Sequence, residues 1–156
     1  MDTAALTAKA EKLQTLINSP EALVLPNVWD AGSAKIVEEA GFPVIATSSG
    51  GIAWALGYPD GENISRDEML FMVQRIVNSV NLPVTADMES GYGETVEAVA
   101  DTVRATLQSG AVGAADNVLH AGFGGSHDVD LRLHADPAHT DGLLDAIALI
   151  DHVLLG

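Results

Sequence analysis

Apolar positions along the first two-thirds of the chain follow two alternating rhythms. Leu6, Ala10, Leu13 and Ile17 are spaced by four, three and four residues, which is one face of an amphipathic helix. The run "ALVLPNV" then predicts a short buried strand. "DAGSAKIVEEAG" predicts a helix capped by Asp30 and stopped by Gly41. "PVIATS" predicts a second strand, followed by a glycine-rich loop and a short helix through "SGGIAWALGYPDG". Ser65 and Glu68 stand at capping-box spacing, and Met69, Val73, Ile76 and Val80 form the apolar stripe of the helix they open. "LPVTADM" predicts a third strand. Val96, Val99, Val103 and Leu107 mark a helix ended by Gly110, and "AVGAA" predicts a fourth strand.

Strand and helix thus alternate strictly, and the strands are unbroken apolar runs, as expected where both faces of a sheet are covered. The pattern predicts an α/β fold with a parallel sheet and right-handed crossovers. A doubly wound sheet and a (β/α) barrel both satisfy it, although four strands cannot close an eight-stranded barrel. The rhythm breaks near Ala115. All five histidines (His120, His127, His134, His139 and His152) follow that point, together with seven aspartates and neither glutamate nor lysine. Before it stand nine glutamates and no histidine. The expected organisation is a unit of about four β/α pairs at 1–115 and a segment of different character at 116–156. In that segment Leu143, Leu144, Ile147, Ile150 and Leu154 suggest a terminal helix, with Asp141 as its cap.

Composition narrows the function. The 156 residues suffice for one domain with a core, and a hydrophobic share of 47% sets the chain apart from disordered ones. A formal charge of -15 argues against nucleic acid and against anionic membrane surfaces as partners. A small anionic substrate remains compatible with it, held by a metal and backbone amides. The absence of cysteine excludes disulfides and thiolate chemistry. The N-terminus has no apolar signal core and no run is long enough to span a bilayer, so a cytoplasmic location is expected.

In parallel α/β folds, ligands bind beyond the carboxyl ends of the strands. The first strand ends at "NVWD", the second at "TSSGG", and the loop after it carries Asp60 in "GYPDG". The third strand ends in "ADMESGYG", with Asp87 and Glu89 two residues apart. Carboxylates converging at a strand mouth repel one another unless a cation is present, and a hard ion such as Mg2+ takes oxygen ligands while keeping several waters. Asp87 and Glu89 are therefore candidate metal ligands, direct or through water; capping the next helix is the alternative. "TSSGG" can cradle a carboxylate or phosphate, or serve as a plain strand-to-helix turn. Trp29 and Trp54 read as packing residues, and Asp60, taken alone, as a turn aspartate.

Taken together, "LPNVWDAGSAKIVEEAGFPVIATSSGGIAWALGYPDG" and "LPVTADMESGYG" resemble the isocitrate lyase/phosphoenolpyruvate mutase family over about residues 5–115. The resemblance implies a (β/α)8 barrel, here only its first half. It also implies Mg2+-dependent cleavage, formation or rearrangement of C–C or P–C bonds in small 2-oxo or 2-hydroxy carboxylic acids through an enolate. By the same resemblance Ser48, Ser49 and Gly50 would bind the substrate carboxylate, and Asp60 would lie at the reaction centre. Asp87 would match the family's metal-site aspartate. Glu89 stands where many members have a second aspartate, a departure that keeps the charge.

Past the fourth strand the likeness ends. The family continues with an Asn-Ile-Glu-Asp-like motif, where this chain reads "GAVGAADN", and then with a lid bearing basic catalytic residues that has no counterpart here. The expectation is a lyase or mutase truncated after strand four. Three readings of 116–156 stand open: sequence from a wrong reading frame, a divergent end replacing half a barrel, or a metal-binding segment. The last draws on His120, His127 and His134 at seven-residue spacing with Asp128 and Asp130 between, though the glycines of "GFGG" break any helix aligning them. An unclosed parallel sheet also exposes strand edges, which favours a homo-oligomer or, as an alternative function, an inactive half-barrel serving as a binding or assembly module.

Overall fold

The structure is a computed structural model that describes residues 3–115. Helix α1 (Thr3–Ile17) leads into strand β1 (Asn27–Val28), helix α2 (Ala31–Glu39), strand β2 (Ile45–Thr47) and helix α3 (Ser49–Ala55). Helix α4 (Arg66–Ser79), strand β3 (Val84–Asp87), helix α5 (Val96–Gln108) and strand β4 (Gly113–Ala115) follow. The readings of 116–156, including its histidines and terminal helix, lie outside the described residues.

The strands form one parallel sheet in chain order, β1-β2-β3-β4. Val28 stands opposite Thr47, Ala46 opposite Thr85, and Asp87 opposite Ala115. A doubly wound sheet reverses its strand order at a switch point. No reversal occurs among these four strands, so the order follows the barrel alternative.

Local chemistry explains where the helices begin and end. Asp30 Oδ1 accepts from the Ser33 amide at 2.6 Å, and Ser33 Oγ accepts in return from the Asp30 amide at 3.1 Å, closing a reciprocal box ahead of α2. Ser65 and Glu68 form the predicted box at α4. Thr95 Oγ1 caps α5 by accepting from the Ala98 amide at 3.2 Å. Such caps are each worth about 1 kcal/mol. Gly41 and Gly110 end α2 and α5 with φ of 86° and 95°, conformations in which a Cβ is unfavourable.

The main core lies between the sheet and its helices. Val28, Ile45, Val84, Ala86 and Met88 meet Ile52, Met69, Val73 and Ile76, all essentially inaccessible to water. Each fully buried Val, Ile or Met contributes about 1.5–3 kcal/mol of transfer free energy. A second cluster, Leu13 with Val44 and Val112, fastens α1. Two expectations are corrected. Among the described residues the strand expected over "ALVLPNV" is paired only at Asn27–Val28, with Val24 and Leu25 exposed; Pro26 has no amide to give a ladder and β1 has a neighbour on one side, β2. Val96, assigned to the apolar stripe of α5, is 47% exposed, because it is the first residue after the cap and sits short of the sheet. Among the described residues no helix is long and apolar enough to cross a membrane.

Candidate active site

The carboxyl ends of β2 and β3 open into a pocket of about 550 Å³. Its walls include the six residues to which the family resemblance gives roles: Ser48, Ser49, Gly50, Asp60, Asp87 and Glu89. Gly51, Gly61 and Trp54 complete the lining.

Asp87, the last residue of β3, is held from three sides. Its amide donates to Thr47 Oγ1 on the neighbouring strand at 2.9 Å. Its Oδ2 accepts from the Ser49 hydroxyl at 2.8 Å and the Ser49 amide at 3.3 Å, and its Oδ1 accepts from the Glu89 amide at 3.1 Å. Hydrogen bonds to an ionised acceptor are the stronger kind, so this carboxylate is fixed before any ligand arrives. The Ser49 hydroxyl proton is thereby spent on Asp87. Ser48 Oγ caps α3 by accepting from the Gly51 amide at 3.1 Å, which leaves its own proton free to donate. The Gly50 amide lies in the first turn of α3 and has no intrahelical acceptor.

Asp60 reaches the same pocket from the loop between α3 and α4. A Cβ on Gly50 would stand 2.9 Å from Asp60 Oδ2 and 3.1 Å from Oδ1, so the glycine is what lets this carboxylate approach. The loop is shaped by the Gly61 amide donating to Asp60 Oδ1 at 3.0 Å and by Asn63 Nδ2 donating to the carbonyls of Asp60 and Gly61.

Glu89 is 8% exposed and has a left-handed backbone, φ 56°. Its Oε2 accepts from the Glu62 amide at 2.7 Å, while its Oε1 is buried without a partner. Burial raises its pKa above the ordinary carboxylate range; the Glu62 amide bond opposes this, and the negative charges of Asp60, Asp87 and Glu62 add to it. Tyr92 shows the same pattern nearby: its hydroxyl is buried and unbonded, and burial followed by the charges of Glu89, Glu62 and Asp87 pushes its pKa up.

Thr95, not Asp87 or Glu89, caps α5, so the helix-cap alternative for the two carboxylates does not hold. The tryptophan expectation is also corrected. Trp54, on α3, is 70% exposed at the pocket rim, and Trp29, in the loop after β1, is 44% exposed beside Gly51, so neither is a core residue. Sequence reasoning missed Glu62 and Thr47. Both act across the chain, on partners 27 to 40 residues away, and no local spacing points to them.

The donor set suits a hard divalent cation as a partial site. Asp87 and Glu89 offer carboxylate oxygens, and the partnerless Glu89 Oε1 is an acceptor whose burial needs a positive or hydrogen-bonding companion. Among the described residues no third His, Cys, Asp or Glu completes a metal cluster, so a cation held here would need water or other ligands to fill its coordination shell.

Comparison with known proteins places the chain in a family. The profile of the phosphoenolpyruvate phosphomutase family matches residues 13–121. The oxaloacetate decarboxylase of Bradyrhizobium diazoefficiens is 33% identical, covering 77% of this chain and 42% of the relative. The 2,3-dimethylmalate lyase of Eubacterium barkeri is 33% identical over 65% of this chain and 35% of its own. Among solved structures, oxaloacetate acetylhydrolase in complex with the inhibitor 3,3-difluorooxalacetate superposes with a TM-score of 0.63 at 35% identity, over 69% of this chain and 37% of that one. The chain thus spans about two-fifths of the length of the relatives it matches.

Proposed function

Because the chain belongs to the phosphoenolpyruvate phosphomutase family, whose members are lyases and phosphomutases, we propose that its pocket is the cation and carboxylate end of an active site for small 2-oxo or 2-hydroxy acids. The reaction class is Mg2+-dependent cleavage or rearrangement of a C–C or P–C bond next to a carboxylate, by way of an enolate. The observation that carries this reading is the pairing of Asp87, locked by Ser49, with the buried, half-bonded Glu89 in one pocket.

Each residue takes a role its geometry permits. Asp87 and Glu89 hold the cation, Asp87 from a fixed position and Glu89 through Oε1. The Ser48 hydroxyl and the Gly50 amide bind the substrate carboxylate. Ser49 acts through Asp87, as a support for the ligand. Asp60, pressed against Gly50, orients the reacting group. Bound Mg2+ supplies a Lewis acid beside the substrate's 2-oxo or 2-hydroxy oxygen. No lysine or histidine lines the pocket among the described residues.

The test is titration of the chain with Mn2+ as a spectroscopic stand-in for Mg2+, alongside turnover assays on 2-methylisocitrate, oxaloacetate and phosphonopyruvate. Binding on the order of millimolar that Asp87→Ala removes is expected. Equal binding by wild type and Asp87→Ala would sink the reading.

A further inference from the structure

Glu62 lies outside the set of residues assigned above, yet it makes the bonds that join the two loops of the pocket mouth. Its amide donates to Glu89 Oε2 at 2.7 Å. Its own carboxylate turns back on the segment that carries Glu89, where Oε1 accepts from the Ser90 amide at 3.0 Å, the Tyr92 amide at 3.1 Å and the Ser90 hydroxyl. The bonding is reciprocal: main chain of one loop to side chain of the other, then side chain back to main chain. The residue also holds a left-handed backbone, φ 56°, as do Glu89 and Tyr92 across from it.

Two features set this apart from an ordinary turn staple. Glu62 brings another negative charge toward Glu89, which Asp60 and Asp87 already face, an approach that its hydrogen bonds to the opposite loop must offset. The clasp also occupies one Glu89 oxygen and leaves the other, Oε1, buried and unpaired. Asp60 is two residues from Glu62 in the same loop, so the clasp sets Asp60 and Glu89 relative to each other.

From this geometry we infer that Glu62 is a positioning residue: it locks the loop after α3 to the loop after β3 and so fixes where Glu89 presents its free oxygen to a divalent cation. The inference rests on the cation reading above for its purpose, but the lock itself can be tested separately.

The three donors converge on one oxygen of Glu62. A glutamine can therefore keep that acceptor while losing the charge, and an alanine loses both. The experiment compares the 156-residue chain with Glu62→Gln, Glu62→Ala and Asp87→Ala. Mn2+ affinity is measured by electron paramagnetic resonance, and amide exchange by NMR at residues 62, 90 and 92. Outer-shell partners of a metal ligand typically cost about 10- to 100-fold in affinity when removed. Glu62→Ala is expected to lose affinity on that scale and to lose protection at the three amides, while Glu62→Gln stays near wild type in both. Equal losses of affinity in the Gln and Ala variants would show that Glu62 acts by charge, and would overturn the inference. So would unchanged affinity and protection in Glu62→Ala. Should wild-type binding be absent, or survive Asp87→Ala, the cation reading falls and exchange at residues 62, 90 and 92 alone decides whether the lock exists. Glu62→Gly, which suits the left-handed backbone, takes the place of the Ala variant if that one does not fold.

Discussion

Gly50 and Asp60 stand so close that a methyl group on the first would lie 2.9 Å from a carboxylate oxygen of the second. Asp60 is exposed on a loop and can swing away, so the clash falls on its position and not on the fold. Alanine also removes the entropic cost of glycine in a helix, about 0.5–1 kcal/mol. Gly50→Ala is expected to melt at or slightly above the wild-type temperature while moving Asp60 out of the pocket. A crystal structure checks the displacement; an Asp60 left in place would contradict the steric account.

The second expectation is a pH dependence at Glu89. Its folded pKa lies above the unfolded value, with burial as the first cause. Below the unfolded pKa, about 4.3, both states are protonated and nothing is lost. As pH rises through the folded pKa, the folded state must carry a buried charge and stability falls. In a chelated buffer Glu89→Gln should therefore be more stable than wild type at pH 7 to 8, with the gap closing by about pH 4. Urea midpoints at the two pH values measure it. Mg2+ should reverse the order at neutral pH, because only the wild type retains the ligand pair that the ion stabilises.

Tyr92 offers a test with the opposite logic. Its hydroxyl is buried without a partner, and an unmade buried hydrogen bond costs about 1–3 kcal/mol. Tyr92→Phe deletes that hydroxyl and keeps the ring on the core, so it should leave stability unchanged or raise it. A loss beyond about 1 kcal/mol by chemical denaturation would mean that the hydroxyl is satisfied by an ordered water.

Gly93 is limited by space. A Cβ there would meet the Ala98 Cβ at 2.4 Å, and that atom is fixed to the first turn of α5. Gly93→Ala should cost about 1–3 kcal/mol, as overpacked sites do. Pairing it with Ala98→Gly should return most of the loss, and failure of that rescue in a double-mutant cycle would point to the backbone.

The legible part of this molecule was local. The spacing of Ser65 and Glu68 announced a helix start, the stripe Met69, Val73 and Ile76 announced its buried face, and both stand in the structure. That the site residues gather in one pocket was legible because strand ends are where parallel folds bind ligands, and Asp87 closes a strand. Non-local contacts escaped. Nothing near Thr47 says that its hydroxyl accepts from Asp87, and nothing in "DGENIS" says that Glu62 reaches Ser90 and Tyr92. Strand pairing escaped as well. Val24 and Leu25 look like strand residues by composition, but pairing depends on neighbours that their own sequence does not describe.

The left-handed backbones of Glu62, Glu89 and Tyr92 bear on how this protein could be engineered. A left-handed residue with a side chain costs about 1–2 kcal/mol, a cost that glycine escapes. At Glu89, where a buried carboxylate among like charges adds to that cost, a selection that rewards heat resistance alone would thus favour a glycine codon; at Glu62 and Tyr92 the lost clasp and the lost core packing oppose it. The winners would melt later and would have discarded one carboxylate from the pocket. A library meant to keep the chemistry has to hold that codon fixed, or score cation retention in the same round as survival.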